Sequence, residues 1–179
     1  MRDLGGRHVA VLVENNYQEM EVWYPIYRFL EGGAKVSIVG PKAEKYTSKL
    51  GYPVIADMAA ADALKMYFDA VIIPGGYAPD LMRLNDDLIT LVRNHALAGK
   101  VVAAICHGSW MLASAGVIRG KRLTGAPQIR DDLRNAGATY LDEEAVRDGN
   151  IITSRKPDDI PAFCAAIIAA LTEARVEAA

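Results

Sequence analysis

The residues with the most chemical promise lie in the run Ala103-Ala104-Ile105-Cys106-His107-Gly108. A strand-like apolar stretch, Val101 to Ile105, ends at a cysteine, and a helix-like stretch, His107 to Ala115, follows at once. A nucleophile on a sharp strand-to-helix turn needs small residues two before and two after it, because the backbone passes close to its neighbours there. Ala104 and Gly108 occupy those positions, so the pattern is a nucleophile elbow with Cys in place of Ser. The N–H groups and positive end of the following helix would lower the thiol pKa and favour the reactive thiolate. The plain alternative is a small apolar cysteine packed at a strand end; the elbow context favours the nucleophile. Cys164 lies in an Ala-rich apolar stretch and reads as inert core. His107 stands out only by its place beside Cys106. Adjacent residues do not face each other on a helix, so its ring need not meet the sulfur, and as a base it needs an orienting partner from elsewhere.

Two other segments bring unusual residues to strand ends. Phe68 to Ile73 reads as a buried strand that stops at Pro74-Gly75-Gly76. Paired glycines allow a tight turn whose N–H groups face outward, and with the N–H of His107 they could form an oxyanion hole. Many Gly-Gly pairs are plain turns. The third segment, Asn15 to Pro25 (NNYQEMEVWYP), follows the strand Val9 to Val13. Glu19 and Glu21 open a helix, where carboxylates are favoured in any case. Glu14, in the preceding turn, needs no role beyond solvation. His8 and His95 read as surface residues.

The elements that must position these residues alternate along the chain. A helix is expected from Gln18 to Gly32, with a kink at Pro25. A strand follows at Lys35 to Val39, then a short hairpin over Lys45 to Asp57 and a helix over Ala59 to Lys65. Asn85 caps a helix that Gly99 closes. Beyond the elbow, a short helix over Pro127 to Asn135 precedes strands at Thr139 to Leu141, Ala145 to Arg147 and Asn150 to Ser154. The last helix runs from Pro157 to Arg175, and the final RVEAA reads as frayed. This alternation implies an α/β fold, a mostly parallel sheet with helices on both faces. No repeat or linker marks a boundary, so one domain over 1–179 is expected.

Composition narrows the partners. A net charge of −2 gives no basic excess for nucleic acid or an anionic membrane. The two cysteines fit neither a disulfide framework nor a metal site, which suggests a reducing compartment. No metal or cofactor is expected. The apolar stretch Ile160 to Leu171 is too short to span a bilayer, and no signal peptide is evident; a cytoplasmic protein is the expectation.

Taken together, the segments resemble the ThiJ/PfpI superfamily, within the class I glutamine-amidotransferase-like folds. The resemblance covers nearly the whole chain. It rests on Glu19, Glu21 and Pro25; on the loop Pro74-Gly75-Gly76-Tyr77-Ala78-Pro79-Asp80; on the elbow Ala104 to Gly108; on Ser114-Ala115-Gly116-Val117; and on Thr153-Ser154-Arg155-Lys156-Pro157. The loop and the Ala-Gly-Val run are most similar to the PfpI branch. The resemblance implies a flavodoxin-like three-layer sandwich. It implies Cys106 as nucleophile, Glu21 as a carboxylic acid hydrogen-bonded to the sulfur, and the N–H groups at Gly75, Gly76 and His107 as the oxyanion site. It also implies that Asp80 reaches His107 of a neighbouring subunit, and hence a homo-oligomer, a dimer or a hexamer. Two departures stand out: Asp80 is one methylene shorter than the glutamate usual there, and Gln18 replaces an acidic residue common near the site. Members of the superfamily have been assigned protease, deglycase, glyoxalase, chaperone and redox-sensing roles. The leading expectation is chemistry on small α-oxoaldehydes or their protein adducts. A PfpI-like peptidase or amidase and a non-enzymatic redox sensor or chaperone are the alternatives.

Overall fold

The computed structural model describes residues 4–176. Among the described residues, eleven strands and seven helices follow one another. The strands are β1 (His8–Leu12), β2 (Lys35–Gly40), β3 (Lys45–Thr47), β4 (Pro53–Ile55), β5 (Met58–Ala59), β6 (Ala70–Ile73), β7 (Val101–Ile105), β8 (Arg122–Leu123), β9 (Thr139–Tyr140), β10 (Ala145–Asp148) and β11 (Ile151–Ser154). The helices are α1 (Glu19–Glu31), α2 (Ala60–Ala63), α3 (Ala78–Met82), α4 (Asp86–Leu97), α5 (Ser109–Ser114), α6 (Arg130–Asn135) and α7 (Ile160–Val176).

Seven strands form one sheet in the order β10-β11-β7-β6-β1-β2-β5. Every pairing in it is parallel except β10 with β11 at the edge. Central strands β6 (AVII) and β7 (VVAAI) are buried along their whole length, which is why they read as unbroken apolar runs rather than alternating ones. Helices α1 and α7 pack together against β1, β2, β7 and β11, while α2, α4 and α5 form the second helical layer. This is the mostly parallel α/β sheet that the alternation implied, in the flavodoxin-like sandwich that the resemblance implied.

Strand order runs outward in two directions from β1, through β2 on one side and β6 on the other. Such a reversal leaves a crevice at the carboxyl ends of the strands, where ligands of open α/β sheets bind. The segments after β1, β6 and β7 all meet there.

Several expectations need correction. The helix over Ala59 to Lys65 shrinks to α2, and Met58–Ala59 pairs with β2 as a sheet edge instead. The hairpin is real, but it is confined to β3 and β4 and stands outside the main sheet. Arg175 and Val176 belong to α7, and 177–179 lie outside the described residues. His8 and His95 are not surface residues. Both are half-buried against Phe68, with His8 Nε2 2.8 Å from Ser37 Oγ and His95 Nδ1 2.8 Å from the Leu91 carbonyl. Among the described residues no helix is long and apolar enough to cross a membrane.

Candidate active site

Strand β7 delivers Cys106 into a tight turn. Its φ is 59°, in the left-handed region that non-glycine residues rarely adopt. One 3-10 turn, Cys106–Gly108, follows before α5 begins. The space around this turn explains its small residues. A Cβ on Gly108 would lie 2.5 Å from the Ile73 carbonyl oxygen, and one on Gly75 would lie 2.7 Å from both Cys106 Cβ and Glu21 Oε2. The elbow therefore presses directly on the turn after β6. Gly76 has a φ of 75° and bridges Tyr17, which ties that turn to the loop after β1.

Glu21 points inward from the first turn of α1 and has no exposed surface. Its Oε2 accepts the Gly75 N–H at 2.7 Å, while Oε1 has no hydrogen-bond partner among the described residues. Burial pushes the carboxyl up to about 7, against the opposing pull of the Gly75 N–H, the Cys106 thiol and the charge of Lys49. Of the three acids in this segment, only Glu21 bears on the titration of the sulfur. Glu14 accepts the N–H of Asn15, and Glu19 binds the Ser48 hydroxyl and the Leu50 N–H.

The thiol does not follow the expectation of a lowered pKa. Burial and then the charge of Glu21 push Cys106 up to about 12, outweighing the N–H groups of His107 and Gly76 that favour the thiolate. The six residues of α5 begin three positions beyond the sulfur, so the dipole acts weakly, and burial, then the carboxylate beside it, dominates. Cys106 and Glu21 thus titrate as a pair. The carboxyl is held near 7 and the sulfur near 12, so once the carboxyl can ionise the remaining proton rests mainly on the sulfur. When it resides on Glu21, the thiolate gains a carboxylic acid as a hydrogen-bond donor.

His107 meets the sulfur after all, with Nδ1 3.3 Å from Sγ. The left-handed Cys106 and the 3-10 turn break the regular helical geometry that would have kept neighbours apart. Its ring packs edge-on against Trp110 at 5.2 Å. Burial, then the charge of Lys49, lowers its pKa, so the ring is mostly neutral at pH 7 and able to accept a proton. Asp80 is not part of this cluster. It is exposed on α3, and its side chain makes no hydrogen bond or ion pair with a described residue.

These groups open on a cleft of about 310 Å³, lined by Cys106, His107, Gly76, Gln18, Lys49 and Gln128. A larger groove of about 500 Å³ runs along the outer side of α1, but Trp23, Tyr24, Tyr27 and Tyr52 make it apolar and it holds no nucleophile. Lys49 and Gln128 escaped sequence reading. Neither sits near a motif, and only the docking of the β3–β4 hairpin and of the turn before α6 brings them to Cys106. Among the described residues no group of His, Cys, Asp and Glu could hold a metal ion.

The sequence profile of the DJ-1/PfpI family matches residues 7–170. The chain belongs to the DJ-1/PfpI family. Relatives within it include a deglycase of Thermococcus kodakarensis, 40% identical over 87% of this chain and 93% of its own. A putative cysteine protease of Bacillus subtilis is 40% identical over 88% and 94%. Drosophila melanogaster DJ-1beta superposes with a TM-score of 0.88 at 30% identity, covering 93% of this chain and 90% of its own. DJ-1/PfpI membership thus accounts for the sheet and the elbow together, while the names of the relatives divide over the reaction.

Proposed function

We propose that this chain is a cysteine-dependent enzyme acting on α-oxoaldehydes, or on their adducts with protein amines and thiols. One observation carries the reading. A nucleophilic sulfur lies against a buried carboxyl with a pKa of about 7 and opens on a cleft of about 310 Å³. That cleft has room for a three-carbon aldehyde or for the side-chain tip that carries one. Deglycase relatives support the same reading.

The steps follow from the pair. With its proton on Glu21, the Cys106 thiolate attacks the aldehyde carbon of methylglyoxal. A C–S bond forms, and the carbonyl electron pair moves onto oxygen, held by the N–H groups of Gly76 and His107. The Glu21 carboxyl protonates that oxygen and gives a hemithioacetal. The hydrogen on the same carbon then leaves as a proton to Glu21 or His107 and returns to the neighbouring carbon through an enediol. The product is a thioester of lactate. Water attacks its carbonyl, the C–S bond breaks, and lactate leaves with the thiol restored. The sum is methylglyoxal plus water to lactate, with no net redox change. On an adduct, the amine or thiol departs as the sulfur takes its place.

Asp80 extends the proposal. Its exposed carboxylate, unpaired within the described chain, suits a reach into a second copy to orient the neutral His107 there. A homodimer or a larger assembly such as a hexamer would then complete each site. A free reactive thiol suits the reducing cytoplasm.

The test is lactate formation from methylglyoxal by the purified protein, run beside a fluorogenic peptide, with Cys106→Ala as the blank. Lactate that disappears in the variant supports the reading. Peptide cleavage without lactate would replace it with a peptidase.

A further inference from the structure

The cleft holds one charged group that this reaction does not use. Lys49 sits between β3 and β4 and lines the same cleft as Cys106 and His107. Its loop is fixed from several directions. The Lys49 N–H donates to the Tyr17 carbonyl at 3.0 Å. On either side of it, the Ser48 hydroxyl and the Leu50 N–H both donate to the Glu19 carboxylate in the first turn of α1. The Tyr17 hydroxyl donates to the Tyr52 carbonyl at 2.7 Å and closes the arrangement.

The ammonium itself forms no ion pair or hydrogen bond with a described residue. Its charge nonetheless bears on Glu19, Glu21 and His107. No exposed carboxylate faces it across the cleft. Gln18 is a neutral amide whose Oε1 caps α1 by accepting the Met20 N–H at 2.7 Å. Gln128 is another neutral amide, Glu21 is wholly buried, and Glu19 lines the neighbouring groove with Oε1 committed to the loop. Lys49 is therefore the one cationic side chain lining the cleft among the described residues, and no carboxylate shares the cleft wall with it.

We propose that Lys49 is the specificity-determining cation of this site, and that its preferred substrates are small α-oxoaldehyde adducts that carry a carboxylate. The substrate class rests on the α-oxoaldehyde reading; the anion preference of the cleft does not. An ammonium is a compact charge on a flexible stem, so it attracts a carboxylate without demanding a paired geometry. At about 4 Å and the screening of bulk water, such a pair favours the anion about fivefold, and more as the cleft sheds water.

Two measurements separate these parts. The first compares alkylation of Cys106 by iodoacetate and by iodoacetamide. Each reaction forms an S–C bond and expels iodide from the same thiolate, so the rate ratio reads only the attraction for the anion. The ratio should fall about fivefold in Lys49→Met and persist in Lys49→Arg. It should also fall in Gln18→Glu, which keeps an oxygen to cap α1 while adding a counter-charge. Added salt should lower the ratio in the parent. An equal ratio in the parent and Lys49→Met overturns the role of Lys49. The second compares kcat/KM for methylglyoxal hemithioacetals of N-acetylcysteine and of its neutral amide. The parent should prefer the carboxylate about fivefold, and Lys49→Met should lose that preference. Equal turnover of both by the parent overturns the substrate class. If neither is turned over, the α-oxoaldehyde reading falls with it, while the alkylation ratio still decides on Lys49.

Discussion

Cys106 and Cys164 are both pushed up to about 12, and burial is the first cause at each. Around Cys164, in α7, the packing is apolar and the charge of Arg28 is the one opposing influence among the described residues. Around Cys106 stand two backbone N–H groups, a carboxyl near 7 and an imidazole nitrogen 3.3 Å away. Two thiols of similar reluctance thus differ in their surroundings: Cys106 stands beside groups able to exchange a proton with it, and Cys164 does not.

The sharpest test of that difference is to remove each sulfur in turn. Cys106→Ala should lower turnover of methylglyoxal roughly 10⁴- to 10⁶-fold, the scale seen when a covalent nucleophile is lost. Cys164→Ala should keep turnover and lower stability by about 1 kcal/mol, read from urea midpoints. Comparable activity losses in the two variants would erase the distinction.

Removing the proton acceptor comes next. Glu21→Gln should lower turnover about 10²-fold or more, while the amide oxygen still accepts the Gly75 N–H and preserves the fold. Iodoacetamide labelling across pH supplies the mechanism. The parent should show one step near 7 and another near 12. The variant should show a single step below 12, because the Glu21 charge, the second cause of the rise, is gone while burial remains. A parent that labels in one step only would break the pair.

Stability should carry the same signature. The folded Glu21 carboxyl is raised from 4.5 to about 7, so it favours the protonated state. Its contribution is full below 4.5 and is lost as pH rises to about 7, a change of about 3 kcal/mol. Glu21→Gln has no such titration, so its urea midpoint should gain on the parent across that window. Parallel profiles would mean that Glu21 is not buried as described.

The smallest effect is expected at Asp80. Asp80→Ala should reduce turnover about tenfold at most, by freeing the tautomer of His107, and leave iodoacetamide labelling of Cys106 intact. Sedimentation at assay concentration completes the test. A fully active monomer returns Asp80 to an ordinary exposed residue.

Sequence revealed the elements whose physics is local. Val101 to Ile105 and Ala70 to Ile73 are apolar throughout because both faces of their strands are covered, and the elbow is marked by Ala104 and Gly108, where backbones nearly touch. Glu21 could be separated from Glu19 only by resemblance, since both suit the start of a helix and only packing decides which one turns inward. Lys49 carried no signal, because its place depends on how a hairpin outside the main sheet docks onto α1. The raised pKa of Cys106 was hidden for the same reason. The helix start was visible, but the burial and the carboxylate that together outweigh it come from distant parts of the chain.

The left-handed backbone at Cys106 also limits how this site can evolve. At a φ of 59° a side chain branched at Cβ collides with its own main chain. Serine fits the position and is one base change from cysteine, so an oxygen nucleophile lies within mutational reach. Threonine would strain the turn even though it carries the same hydroxyl. A lineage that keeps this elbow can therefore exchange sulfur for oxygen, but it cannot add a methyl group to shield or steer the nucleophile. Any such steering must come from residues opposite the turn, which leaves the cleft wall as the part free to diversify.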